Sequence, residues 1–436
     1  MSARLDWSSR ASGPLRGSVG VPGDKSVSHR ALMFGALADG TSRIRGFLEG
    51  EDTRATAAVL QQLGVRIETP AEGERVVHGV GLHGLRASAD LLDCGNAGTG
   101  MRLLAGLLAG QAFDSTLVGD TSLSKRPMRR VTDPLAAMGA RIDTQAGLPP
   151  LQVRGGQRLH GIRYELPVAS AQVKSALLLA GLYADGETEV IEPHPTRDYT
   201  ERMLAAFGWP IAFEPGHAKL SGGHALRATD VDVPADFSSA AFFLVAASIV
   251  PGSELRLPAV GLNPRRTGLL EALRLMGADI RVENERSSGG EPVGDLVVRH
   301  APLHGVELPE ALVPDMIDEF PALFVAAAVA NGNTVIRGAA ELRVKESDRL
   351  AAMATGLRAL GIAVDETPDG AAIHGGTLAG GAVESLTDHR IAMSFAVAGL
   401  VAQAPVRIND CRHVATSFPG FMALANGCGF ALGVAD

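Results

Sequence analysis

Basic side chains stand at or near the places where helices are expected to begin: Lys25 and Arg30, Arg126, Arg197, Lys345 and Arg349, and Arg390. The first N–H groups of a helix lack partners and carry a partial positive charge, so a cation there costs about 0.3–1 kcal/mol at an exposed site. The chain repeats that cost although its net charge is −8. An anion bound jointly by helix ends and cations accounts for the pattern, because helix N-termini are themselves anion sites. The expected ligand carries two or more anionic groups, phosphates or carboxylates. Any one of these arginines could instead be solvated or paired with a neighbouring acid such as Glu201 or Asp348; the set favours the ligand.

Other segments carry weaker signals. Asn96-Ala97-Gly98-Thr99-Gly100-Met101-Arg102 is a glycine-rich helix start whose glycines allow a ligand close to the backbone. It lacks the Gly-Lys-Ser/Thr of a phosphate-binding P-loop and is not a Gly-x-Gly-x-x-Gly fingerprint. Asp318-Glu319 and Lys345-Glu346-Ser347-Asp348-Arg349 mix acids with bases. On spacing alone Asp318 reads as a helix N-cap like Asp24, Asp236 and Asp388, and Glu346 as a first-turn acid that suits the helix dipole.

These residues need elements to hold them, and the elements repeat. A helix ending in an apolar residue and glycine, then a strand, is expected around Gly64, Gly139, Gly208, Gly277, Gly361 and, more weakly, Gly429, each glycine serving as the residue just past a helix C-terminus. Between these lie Ala/Leu-rich helices, expected over 24–40, 96–110, 170–186, 236–252, 318–332 and 388–404, each opening at Asp, Asn or Ser. They are apolar nearly all round and should be buried. The unit is buried helix, strand, second helix, glycine, strand, repeated six times, which suggests two domains of three units each. The segment 13–22 looks like a strand that belongs with the second half.

With 436 residues and 46% apolar content, the chain can bury a large core. Three cysteines, Cys94, Cys411 and Cys428, suit a reducing compartment and form no zinc-like spacing. The apolar run 240–250 is too short to span a bilayer, which takes about 20 residues. A soluble, cytoplasmic protein is expected, with no nucleic acid and no membrane as partner.

Five segments in order, Pro22-Gly23-Asp24-Lys25-Ser26-Val27-Ser28-His29-Arg30, Gly95-Asn96-Ala97-Gly98-Thr99, Lys125-Arg126-Pro127, Arg343-Val344-Lys345-Glu346-Ser347-Asp348-Arg349 and Asp388-His389-Arg390, resemble the signatures of the 5-enolpyruvylshikimate-3-phosphate synthases. The resemblance spans the chain. It implies an α/β fold of two similar domains, each of three repeated units with buried helices inside and sheets outside, an inside-out α/β barrel. The domains would be 24–235, and 1–23 with 236–436, with crossings near 23 and 234–236. It implies that shikimate 3-phosphate contacts Lys25, Ser26, Arg30, Ser170, Ala171, Gln172, Arg197, Asp318 and Lys345. Phosphoenolpyruvate would contact Lys25, Gly98, Arg126, Gln172, Arg349 and Arg390.

The implied reaction is addition followed by elimination, which needs a base for the substrate's 5-hydroxyl, an acid for C3 of phosphoenolpyruvate and cations for the anionic groups. Asp318 is the implied base; Glu346 and Lys25 are candidates for proton traffic at C3 and for phosphate departure. Asn96 and His389 are candidates for support, with capping or packing as the alternative for His389. No cofactor and no metal is implied, a monomer is expected, and glyphosate is the expected inhibitor. Many members carry Ser where this chain has Ala171 and Lys within the segment matching 414–419; neither is present here. Two readings stay open beside this one: the sister transfer to UDP-N-acetylglucosamine, whose enzymes commonly have a Cys in the loop corresponding to 119–127, where this chain has none, and a non-catalytic anion-binding scaffold.

Overall fold

The computed structural model describes residues 5–288 and 290–435. The chain is a mixed α/β protein that divides into two compact units. The first comprises Gly23–Val233 with Ser287–Glu291; the second comprises residues 5–22, Pro234–Arg286 and the chain from Pro292 onward.

Each unit is built from the same local device. The expected glycines Gly64, Gly139, Gly208, Gly277, Gly361 and Gly429 all have positive φ, from 81° to 117°. At each, the residue after the glycine donates to the carbonyl five positions back: Val65 to Leu60, Ala140 to Leu135, Trp209 to Leu204, Ala278 to Leu273, Ile362 to Leu357 and Phe430 to Ala425. This is the closing hydrogen bond of a Schellman turn, and glycine adopts it without Cβ strain. Even the weak sixth copy is real.

The sheets are wired alike. In the first unit, Leu92–Asp93 runs parallel to Ser115–Val118, which pairs antiparallel with Leu148–Arg154, which pairs antiparallel with Arg141–Gln145. Arg163–Glu165, Glu187–Ile191, His217–Ser221 and Ile211–Glu214 repeat the order. In the second unit the chain's early segment completes two sheets. Arg16–Ser18 adds a parallel strand beside Glu254–Gly261. Trp7–Arg10 lies antiparallel between Val406–Asn409 and Ala431–Val434, a strand for which the sequence offered no signal.

The buried helices are Lys25–Leu37, Gly98–Ala109 and Ala171–Gly181 in the first unit, and Phe237–Ile249, Phe320–Val329 and His389–Gly399 in the second. All but a few of their residues are buried. Five of them stop a few residues short of the expected ends at 40, 186, 252, 332 and 404; after Leu37, for example, the chain passes straight into strand Ala38–Arg45. Small residues let them pack closely. A Cβ on Gly106 would stand 2.2 Å from the carbonyl oxygen of Ala176, so the second and third helices touch backbone to backbone there. A Cβ on Gly356 would stand 2.2 Å from the Phe395 ring, which sets helix Arg349–Ala359 against His389–Gly399. No described helix is long and apolar enough to cross a membrane.

Candidate functional site

The first unit carries the expected residues of its half near the starts of its three buried helices, except Arg126, just after the 3-10 turn Leu123–Lys125, and Arg197, just ahead of helix Tyr199–Ala206. Asp24 caps the first by accepting from Val27 N at 2.8 Å, and its other oxygen accepts from the Tyr199 hydroxyl at 3.2 Å. Lys25, next in sequence, pairs with Asp52 at 2.9 Å. Arg30 is 3% exposed. Its three nitrogens donate to Thr200 Oγ1 at 2.7 Å, the Ser26 carbonyl at 3.0 Å and Ser175 Oγ at 2.8 Å, all neutral oxygens. Burial first, then the nearby Arg197, lowers its pKa to about 10. The same surroundings act on His29, which burial and then Lys25 and Arg30 push down to about 3; it stays neutral, its Nδ1 bonded to Thr56 Oγ1 at 2.8 Å.

The expected cap Asn96 does not cap. Helix Gly98–Ala109 begins after Ala97 without a side-chain cap. Asn96 instead donates to Asp120 at 2.8 Å and accepts from Arg126 Nη2 at 2.7 Å, so it orients the arginine expected at phosphoenolpyruvate. Gly98 lies against that arginine: an added Cβ would stand 2.9 Å from Arg126 Nη1 and 3.1 Å from Arg102 Nη1. Ser170 does cap its helix, accepting from Val173 N at 3.4 Å. Ala171 follows at the first turn. Gln172 is held at both ends of its amide, accepting from Arg102 Nη1 and donating to Thr99 Oγ1, each at 2.9 Å.

Sequence reasoning missed Arg102 and the buried Lys174. Lys174 pairs with Glu192 at 2.8 Å and Glu201 at 2.7 Å, and Glu192 accepts from Thr196 N at 3.1 Å. Burial opposes the Lys174 charge, but Glu201 and Glu192 outweigh it and hold its pKa up. The segment bearing Arg197 is tied down by these contacts.

The second unit gathers Asp318, Glu346, Arg349 and Arg390. Three of the four acids read as caps are caps: Asp24, Asp236, which accepts from Ser238 N at 2.8 Å, and Asp388, which accepts from Arg390 N at 2.9 Å. Asp318 is not. Its helix begins at Phe320 with Glu319 at the N-cap and no side-chain cap. The Asp318 carboxylate instead accepts from Arg266 Nη1 at 2.9 Å and, more distantly, from Arg349 Nη1 at 3.5 Å. Arg390 Nη1 donates to the Asp318 carbonyl at 3.1 Å. Arg349 is 1% exposed and donates to Asp388 Oδ2 at 2.8 Å and Glu346 Oε2 at 2.6 Å. Burial opposes its charge, but Asp388, Glu346 and Asp318 outweigh that and hold its pKa above the ordinary value. Lys345 precedes Glu346 at the end of the 3-10 turn Ala340–Val344, and His389 is buried in the first turn of its helix. Arg266, Glu319 and Asp388 were not singled out from the sequence as site residues.

Two groups of buried arginines near helix starts, one of them surrounding acids, suit an α/β protein that handles multiply charged anions. The family model for EPSP synthase (3-phosphoshikimate 1-carboxyvinyltransferase) matches residues 9–424. A 3-phosphoshikimate 1-carboxyvinyltransferase of Xanthomonas campestris pv. campestris (strain B100) is 72% identical over 427 residues, covering 98% of each chain. That of Xanthomonas axonopodis pv. citri (strain 306) is 72% identical over 432 residues, covering 99% of this chain and 98% of its own. Among solved structures, the EPSP synthase of Acinetobacter baumannii superposes with a TM-score of 0.89 at 53% identity, covering 99% of this chain and 100% of that one. The chain belongs to the EPSP synthase family.

Proposed function

We infer that the chain transfers the enolpyruvyl group of phosphoenolpyruvate to the 5-hydroxyl of shikimate 3-phosphate, releasing phosphate, in aromatic amino acid biosynthesis. The observation that carries this reading is the side chain of Asp318. It forgoes the cap that its three counterparts make and lies between Arg266 and Arg349, where a carboxylate can serve as a base.

Lys25, Ser26, Arg30, Ser170, Ala171, Gln172, Arg197, Asp318 and Lys345 bind shikimate 3-phosphate. Lys25, Gly98, Arg126, Gln172, Arg349 and Arg390 bind phosphoenolpyruvate, the arginines through paired N–H groups suited to carboxylate and phosphate. Asp318 accepts the proton of the 5-hydroxyl as it attacks C2, and Glu346 passes a proton to C3 and takes one back on elimination. Lys25 leaves Asp52 to assist the departing phosphate, which leaves with C–O cleavage. Asn96 and Arg102 hold Arg126 and Gln172 in place, and His389 supports the start of the helix bearing Arg390. The chain needs no cofactor, acts as a cytoplasmic monomer and is inhibited by glyphosate. The similarly wired sheets and the buried helices support a fold of two domains, each of three repeated units with helices inside and sheets outside. Phosphate release from phosphoenolpyruvate tests the function. Release with shikimate 3-phosphate as acceptor and none with UDP-N-acetylglucosamine is expected; the reverse result, or no release with either, would sink the reading.

A further inference from the structure

Arg266 stands outside every motif of the sequence, between strand Glu254–Gly261 and helix Gly268–Leu275. It is 4% exposed, and a buried guanidinium is tolerated only with good partners. Nη1 donates to Asp318 Oδ2 at 2.9 Å and lies 3.6 Å from Glu319 Oε1. Nη2 donates to Ser238 Oγ and lies 3.6 Å from Asp236 Oδ1. Ser238 Oγ donates in turn to Glu319 Oε1. The guanidinium is thus anchored on the first turn of helix Phe237–Ile249 and reaches the residues just ahead of helix Phe320–Val329. Burial pushes the Glu319 carboxyl up, opposed by Arg266 and Arg390.

The terminal torsion of an aspartate is broad and roughly two-fold, so the residue alone does not choose which oxygen faces a substrate. Asp318 lies in a turn, not in a regular helix, and its backbone carbonyl is held by Arg390. Its carboxylate is held most closely by Arg266, at 2.9 Å on Oδ2, with Arg349 more distant at 3.5 Å from Oδ1. We propose that Arg266 is a positioning residue for Asp318: by fixing Oδ2 it sets the rotation of the carboxylate and so presents Oδ1 to the proton that Asp318 accepts. This rests on the reading of Asp318 as the base.

The test uses the full chain and compares Arg266→Gln, Arg266→Lys, Asp318→Asn and the Asp318→Asn/Arg266→Gln double variant. Arg266→Gln is expected to lower kcat roughly tenfold or more, since misplaced catalytic groups are costly, with KM for phosphoenolpyruvate changed less than about threefold. It also removes a cation beside the carboxylate, so the acid limb of the kcat–pH profile moves to higher pH. The charged groups then left facing Asp318 are Arg349, Arg390 and Glu319, with Glu346 and Asp388 behind Arg349 and Asp236 beside the vacated position. Arg266→Lys keeps the charge without the planar fork, so it restores the acid limb but not kcat. When Asp318→Asn is already in place, Arg266→Gln should cost little further, because one residue acts through the other.

An unchanged kcat and acid limb in folded Arg266→Gln overturns the proposal. So does an equal loss when Arg266→Gln is added to Asp318→Asn. If Arg266→Gln does not fold, Ser238→Ala removes only the hydroxyl that holds Nη2. It should lower kcat about threefold, an effect that vanishes once Asp318→Asn is present; no change in kcat then overturns the proposal. Wild-type turnover in Asp318→Asn alone would instead strike at the base reading, which separates the two failures.

Discussion

The two clusters hold buried arginines in opposite ways. In the first unit Arg30 donates to Thr200, Ser175 and a backbone carbonyl, Arg102 to Gln172, and Arg126 to Asn96. In the second, Arg349 donates to Asp388, Glu346 and Asp318, and Arg266 to Asp318. Arg30, whose donors all meet neutral oxygens, offers an arriving anion an interaction to gain. A guanidinium among carboxylates is already compensated, and its worth lies in fixing those acids. One cluster is suited to bind charge and the other to hold proton-transfer groups. The ion pairs of Lys25 and Lys174 qualify the contrast: Lys25 is matched by Asp52, and Lys174, between Glu192 and Glu201, braces a backbone segment.

The largest expected effect falls on the acid cluster. Asp318→Asn should slow turnover ~10²–10⁴-fold, the usual contribution of a placed base, while shikimate 3-phosphate still binds by calorimetry. A rate within about threefold of the parent would erase the contrast from the catalytic side.

Stability should divide the clusters next. Asp388→Ala leaves the buried Arg349 short of its principal partner, and breaking a buried pair from one side costs about 3–5 kcal/mol. Arg30→Met removes a buried cation from neutral acceptors, so it should cost far less stability while weakening shikimate 3-phosphate binding strongly. Denaturant unfolding of the two variants decides the matter; equal losses would show that the neutral setting is no different.

His29 reports on the same field. Its folded pKa is depressed below 6.5 to about 3, so the unfolded chain binds the extra proton first and stability falls as pH drops below about 6.5. The loss should reach roughly 2 kcal/mol by pH 5, and His29→Gln should flatten that part of the profile. Urea unfolding at pH 7 and pH 5 measures it, and an unchanged slope in His29→Gln would mean the acid sensitivity arises elsewhere.

The smallest effect concerns Gly98. Because the added Cβ would meet Arg126 Nη1 at 2.9 Å, Gly98→Ala must displace that guanidinium, and overpacking of this kind costs ~1–3 kcal/mol. Glyphosate, slightly longer than phosphoenolpyruvate, should lose more, a selectivity of roughly tenfold. Inhibition constants set against KM for phosphoenolpyruvate check it; equal losses would show that the arginine shifts without discriminating by ligand length.

What could be read from the residues follows how local each feature is. The Schellman glycines were legible because a positive φ past a helix end is decided within six residues. Asp24, Asp236 and Asp388 as caps were legible for the same reason. Asp318 carries the same local pattern and breaks it, because its partner Arg266 lies 52 residues away and no neighbouring residue announces the pairing. Arg102 was visible inside the quoted Asn96–Arg102 segment but reads as one more helix arginine until Gln172, 70 residues on, turns out to meet it. The resemblance supplied Asp318, Glu346 and Lys345, which spacing alone left ambiguous; Glu319 stood beside Asp318 in a segment noted for its acids but was given no role, and nothing in the sequence pointed to Lys174.

The placing of strand Trp7–Arg10 has a consequence for how the protein is made. Its pairing partners are Val406–Asn409 and Ala431–Val434, so this strand is synthesised well before either of the two strands that it pairs with. Gly23–Val233, nearly the whole of the other unit, is synthesised without interruption in the meantime. Domains generally fold as units during synthesis, and pairings between distant parts of a chain form slowly. Trp7–Arg10 therefore stays without its two neighbours until they emerge, the interval in which this chain depends most on protection from aggregation.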